Sequence, residues 1–137
     1  MASAVDTLTT VTLKGPDYLR RVRRIVACLA ASVGMDQEES DDAALALTEA
    51  CVNAMRYGSP HGLEDHVLVT LQAQGRTLKA EVTDCGGPDA FADNAKEGMG
   101  IHLMRTLSDE VEFVRQSSGL TVRFSKSAKH HRYRRRA

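Results

Sequence analysis

Residues 48–58 read TEACVNAMRYG, and the fold turns on how this stretch is understood. Glu49 and Asn53 stand four residues apart, so on an α-helix they project from one face, one turn from each other. A carboxylate can take a proton or orient a nucleophile, and a carboxamide oxygen can ligate a hard divalent cation without adding charge. An isolated E-x-x-x-N is ordinarily a solvated polar pair. Here it sits among Ala50, Cys51, Val52 and Ala54, a setting too small and apolar for ordinary solvated surface.

Working upstream, the helix is predicted to begin near Asp36, where the acidic run DQEESDD suits the positive end of a helix dipole. Ala44, Leu47, Cys51, Val52 and Met55 supply its apolar periodicity, and Gly58-Ser59-Pro60 stops it. A preceding helix is read from PDYLRRVRRIVACLAASVG, with Leu19, Val22, Ile25, Val26, Leu29 and Val33 at helical spacing and Gly34 as its end. Its opposite side carries Arg20, Arg21, Arg23 and Arg24. Before it, TLTTVTLK (residues 7–14) alternates as a half-buried strand, broken by Gly15-Pro16.

Downstream, SPHGLED is a loop, and HVLVTLQA and TLKAEVTD alternate as two strands joined through Gln74-Gly75-Arg76. Residues 84–100 form a long Gly-containing loop, of the kind that is more often functional than idle. A short helix, IHLMRTLS, and a hairpin, DEVEFVRQ–SSG–LTVRFS, close the chain. The expected order is β-α-α-β-β-loop-α-β-β. It implies an α+β two-layer sandwich with helices on one face of a mixed, mainly antiparallel sheet.

The chain has 137 residues, with 18 Lys+Arg balancing 18 Asp+Glu. The balance conceals an asymmetry: residues 126–137, KSAKHHRYRRRA, hold six cations and no acid, leaving 12 basic against 18 acidic residues, or −6, in residues 1–125. The expected organisation is a disordered N-terminus at 1–6, one domain over 7–125 and a basic, solvated tail over 126–137. Three scattered cysteines make no disulfide framework and point to a reducing compartment, so a cytoplasmic location is expected. Cys51 and Cys85 read as small packing residues. No apolar run approaches the roughly 20 residues of a membrane span, and the N-terminus lacks a signal-peptide layout. Five histidines show no zinc spacing.

Two further segments bear on chemistry. DCGGP (84–88) follows a strand; alone it is a good turn sequence, but Asp84 could accept a hydrogen bond from an exocyclic amine, with Gly86 admitting a ligand close to the backbone. EGMGIHLM (97–104) leads two glycines into a helix, and unpaired N–H groups at such a start attract phosphate. Neither the G-x-G-x-x-G fingerprint nor a G-K-[ST] motif occurs, so dinucleotide-binding Rossmann and P-loop readings fail.

In this order and spacing, the three segments resemble the N box and the two glycine boxes of the Bergerat-fold ATPases, which include gyrase-type ATPases and histidine kinases. The layout and the phrase GMGIHLMRTLSDEVEF are most similar to the bacterial anti-sigma factors that are also serine protein kinases. The resemblance spans residues 7–125. It implies ATP and Mg2+ as cofactors, with Glu49 as catalytic base on the acceptor hydroxyl and Asn53 as the magnesium ligand. Asp84 would read the adenine amine beside Gly86, and Gly98, Met99 and Gly100 would shape the phosphate end. Pro88, which lacks an N–H, stands where the first glycine box often has its second glycine. The implied partners are a sigma factor, a STAS-type anti-anti-sigma protein and a second copy of the chain, with no membrane and no direct DNA binding. Arg20 and Arg24 are the candidate partner contacts. The alternative reading is a partner-switching module that regulates by binding alone.

Overall fold

The computed structural model describes residues 7–57, 59, 66–86, 99–116 and 119–129. Residues 1–6, the loop positions Pro88 and Gly98, and residues 130–137 of the tail lie outside them. The elements are β1 (Thr7–Leu13), a 3-10 turn (Pro16–Tyr18), α1 (Leu19–Ser32), α2 (Gln37–Tyr57), β2 (Val67–Gln74), β3 (Thr77–Thr83), α3 (Met99–Leu107), β4 (Glu110–Gln116) and β5 (Gly119–Ser127). The expected order is the observed one. The strands form one sheet in the order β1-β2-β3-β5-β4, and every described pairing is antiparallel.

One face of the sheet carries the core. Period-2 alternation turns Val11 and Leu13 of β1, Val67, Val69, Leu71 and Ala73 of β2, and Leu78, Ala80 and Val82 of β3 inward. On α1, Val22, Val26 and Leu29 meet them, as the periodicity predicts. The buried side of α2 is instead made largely of small residues, Ala43, Ala46, Ala50 and Ala54 with Leu47 and Cys51, while Ala44, Val52 and Met55 are only partly covered. No helix among the described residues is long and apolar enough to cross a membrane.

The turn between α1 and α2 shows why the sequence folds as it does here. Gly34 adopts φ +92°, a conformation side chains rarely tolerate. Its N–H reaches the Ala31 carbonyl at 3.1 Å and the Met35 N–H reaches Ala30 at 3.0 Å, satisfying the last carbonyls of α1. Two residues on, Asp36 and Glu39 form a reciprocal cap. Asp36 Oδ1 accepts the Glu39 N–H at 2.8 Å and Glu39 Oε1 accepts the Asp36 N–H at 3.1 Å.

Glu39 has a second role. Its Oε2 accepts the Lys129 backbone N–H at 2.8 Å, tying the start of α2 to the chain beyond β5. From the β2–β3 turn, the Arg76 guanidinium donates to the Lys129 carbonyl at 2.6 Å, and the Arg76 carbonyl accepts the Ala128 N–H at 2.8 Å. The domain therefore runs beyond the expected boundary at residue 125: β5 continues to Ser127, and Lys126 is a buried residue of the sheet rather than the first charge of a solvated tail. Charge counting assigned it wrongly because a lysine here occupies an inward position of the alternation Leu120, Val122, Phe124, Lys126.

Removing the Glu39 side chain strands two backbone donors at a buried junction. Glu39→Ala is expected to cost about 2–3 kcal/mol, at roughly 1 kcal/mol or more per lost bond. Urea denaturation should show a lower midpoint with an unchanged slope. A loss below about 0.5 kcal/mol would remove the cap-and-clasp account.

Candidate active site

The bonds among Glu39, Arg76 and Lys129 place the start of α2 at the same end of the sheet as the β2–β3 turn. From there two rulers run in parallel. Glu39 to Asn53 is fourteen helical residues, about 21 Å, and Thr77 to Asp84 is seven extended ones, about 23 Å. Asn53 and Asp84 therefore lie at similar path lengths from that end. α3 packs against α2 and returns in the opposite direction, because its last residue, Leu107, is bonded to Lys126 near the turn end. Its start, Met99 and Gly100, therefore faces the end that holds Asp84.

Asp84 follows β3 and is buried, with 8% of its surface exposed. Its Oδ1 accepts two backbone N–H bonds, from Gly86 at 2.9 Å and from Leu120 at 3.0 Å. Its own N–H donates to the Leu120 carbonyl at 3.0 Å. Burial pushes its pKa above the ordinary value, and the N–H groups of Leu120 and Gly86 pull it back. Among the described residues nothing donates to Oδ2. One oxygen is fixed by the fold and the other is presented.

Gly119 makes this possible, and sequence reading missed it, taking it as a turn residue. A Cβ there would fall on the Asp84 carbonyl oxygen and press on Oδ1 at 3.3 Å. Only glycine lets β5 approach near enough for Leu120 to bond the carboxylate. The signal available was the G-L-T run opposite the strand that ends in Asp84; without the register it cannot be told from hairpin punctuation.

On α2, Asn53 is buried, and its Nδ2 has no hydrogen-bond partner among the described residues. A buried carboxamide with an unpaired end is costly unless something else meets it, and turning the amide would put its oxygen, a hard-cation ligand, in that place. The donor set is one that Mg2+ suits, since that ion takes few protein ligands and keeps its waters and phosphates. Among the described residues no cluster of three or more His, Cys, Asp or Glu side chains could hold a metal by itself. Glu49, one turn earlier, is half-buried.

Of the other expected positions, Gly86 lies at the site, Gly98 is outside the described residues, and Met99 and Gly100 open α3. Arg20 and Arg24 are exposed on α1. The two cysteines read as packing residues differ: Cys51 is fully buried, its thiol pushed up to about 12 by desolvation. Cys85 is exposed, with Sγ 3.6 Å from the His66 carbonyl, because the chain leaves the sheet at Asp84.

Residues 14–126 match the histidine kinase-like ATPase domain family. The chain is 31% identical to the serine-protein kinase RsbW of Bacillus pumilus, over 92% of this chain and 88% of that one. It is 28% identical to RsbW of Bacillus subtilis, over 81% and 79%. A crystal structure of the RsbU and RsbW domains of Rv1364c from Mycobacterium tuberculosis superposes with a TM-score of 0.67 at 20% identity. That match covers 88% of this chain and 32% of the other, so it bears on the fold alone. With a buried, half-committed aspartate after β3, an unpaired asparagine on α2 and a glycine-led helix at one end of the sheet, the chain belongs to the histidine kinase-like ATPase family, among relatives of the RsbW serine-protein kinases.

Proposed function

We propose that the protein is an ATP-dependent serine/threonine protein kinase that sequesters a sigma factor and phosphorylates a STAS-type anti-anti-sigma protein. Asp84 carries the reading: a carboxylate with Oδ1 saturated by backbone N–H groups and Oδ2 open has the acceptor an adenine amine needs. Gly86 beside it leaves the base room. Met99 and Gly100 at the start of α3, with Gly98 before them in the sequence, bind the phosphates. Asn53 holds the magnesium, which when bound offsets charge on the transferring phosphoryl group.

Glu49 acts at the other substrate. The acceptor serine or threonine oxygen forms its bond to the γ-phosphorus as the bond to the bridging oxygen breaks. ADP leaves, and the hydroxyl proton passes to the Glu49 carboxylate. The relatives' name, serine-protein kinase, supports this assignment of the acceptor.

The partner surface is α1. Val22, Val26 and Leu29 face the core, and Arg20, Arg21, Arg23 and Arg24 are exposed. Arg21 lies over the Tyr18 ring at 5.8 Å, whereas Arg20, Arg23 and Arg24 form no ion pair with a described residue. Unpaired guanidinium groups on an otherwise acidic domain suit a carboxylate-bearing partner, to which they bind bidentately. A homodimer and a cytoplasmic location complete the proposal.

Incubation with labelled ATP, magnesium and candidate anti-anti-sigma proteins, followed by phosphosite mapping, tests the activity. Nucleotide binding without transfer to any of them would leave a switch that works by binding alone. In calorimetry, Asp84→Asn should weaken ATP binding by about 1–3 kcal/mol, since an amide N–H takes the place of the acceptor oxygen and faces the donor N–H of the adenine amine. No binding by the wild-type chain at millimolar ATP would end the nucleotide reading.

Glu49→Ala should abolish phosphoryl transfer while leaving ATP affinity nearly intact, and Asn53→Ala should lose the magnesium-dependent part of binding. Equal losses of affinity in the two variants would contradict the separate roles. Reversing charge at Arg20 and Arg24 should slow partner association and flatten its salt dependence without changing ATP affinity. Unaltered association in surface plasmon resonance at two ionic strengths would place docking elsewhere.

A further inference from the structure

Lys126 is the one buried cation of the described residues, with 8% of its surface exposed, and nothing in the proposed chemistry uses it. It sits on the core side of β5, opposite the buried Leu78 of β3. Its Nζ donates to the carbonyl of Leu107, the last residue of α3, at 3.0 Å. Bonds on either side hold the same junction: the Asp109 N–H donates to the Ser125 carbonyl at 2.9 Å, and the Ser127 N–H to Asp109 Oδ2 at 2.8 Å.

A lysine is among the residues least often buried, and an ammonium inside a core is unfavourable unless its position returns something. Asp109 already staples this corner through its N–H and its carboxylate, so chain closure alone does not require a buried cation there. The site of the charge is specific: it is the negative end of α3, whose positive end at Met99 and Gly100 lies about 12 Å away along the helix at 1.5 Å per residue. α3 carries no acidic residue in its first turn to hold that end for it. Met104, fully buried, fixes the middle of the helix, leaving its ends to set its tilt.

We propose that Lys126 is a positioning residue for the phosphates of the bound nucleotide. By holding the last carbonyl of α3 it fixes the axis of the helix, and so the aim of the N–H groups at its start; its charge at the opposite end keeps the helix formed up to that start. The inference deepens the nucleotide reading and rests on it. It assigns the base and the phosphates to different anchors: adenine to Asp84, held from Leu120 and Gly86, and the phosphates to α3, held from Lys126.

That division makes the test. Adenosine meets only the first anchor and ATP meets both, so calorimetry with each ligand on the full-length chain separates them. Lys126→Met should weaken ATP binding roughly tenfold and leave adenosine affinity within about twofold. Lys126→Gln, which keeps a donor for the Leu107 carbonyl, should recover at least half of the loss and serves in place of the Met variant should that one not fold. In the kinase assay the KM for ATP should rise with kcat little changed. Parallel losses for ATP and adenosine would mean a merely structural lysine and overturn the proposal, as would undiminished ATP affinity in a folded Met variant. Failure of the wild-type chain to bind ATP is a separate result that removes the nucleotide reading itself.

Discussion

The two N–H bonds that Asp84 Oδ1 receives from Gly86 and Leu120 are the constraint on which the site depends. They do three things at once. They hold a carboxylate in a buried position, they join the loop leaving β3 to the start of β5, and they leave a single oxygen for a ligand. Burial and hydrogen bonding push the carboxyl in opposite directions, with burial the larger. An aspartate in such balance is well placed to favour whatever donor completes it. Because both donors are backbone groups, the arrangement depends on main-chain approach, and Gly119 is what permits that approach.

Four buried polar residues, Glu39, Lys126, Asp84 and Asn53, differ in how their polar atoms are used. Glu39 and Lys126 are each spent on main-chain atoms, Lys129 N–H and the Leu107 carbonyl. Asp84 keeps an open oxygen and Asn53 an unpaired amide. The main-chain bonds of Glu39 and Lys126 hold the helices in place, whereas Asp84 and Asn53 keep polar atoms open; Ser108 Oγ, just after α3, is also buried without a partner among the described residues. The distribution agrees with the general cost of orphaned polar atoms, which a fold tolerates where a partner arrives from outside.

How far the sequence could be read follows the same line. Alternation and helical spacing located every described strand and α-helix, though not the 3-10 turn at Pro16–Tyr18, since burial on one face imposes those periods directly. The Glu49–Asn53 pair was legible for a local reason, four-residue spacing in a small-residue setting. What was not legible depended on register. Gly119 looked like a turn because its collision partner, Asp84, is 35 residues away in the chain. Lys126 looked like tail because composition sees charge and not the inward position it takes in β5. The buried side of α2 was assigned partly to Val52 and Met55, when the helix turns its alanines inward instead.

Those alanines bear on how closely α2, the helix that carries Glu49 and Asn53, packs on its neighbours. α1 packs against α2, and the buried positions of α2 include Ala43, Ala46, Ala50 and Ala54. Alanine lets neighbouring elements approach closely and has no rotamer to change, so such a face packs tightly. Glu49 and Asn53 stand on the same helix, each next to one of these alanines. The uncovered face of the sheet is built differently: Arg123 bridges Glu81 at 2.7 Å and Glu112 at 3.1 Å in the open, pairs that hold little energy and adapt readily. The helical side is the buried one, and there α1 packs directly on the helix that carries Glu49 and Asn53.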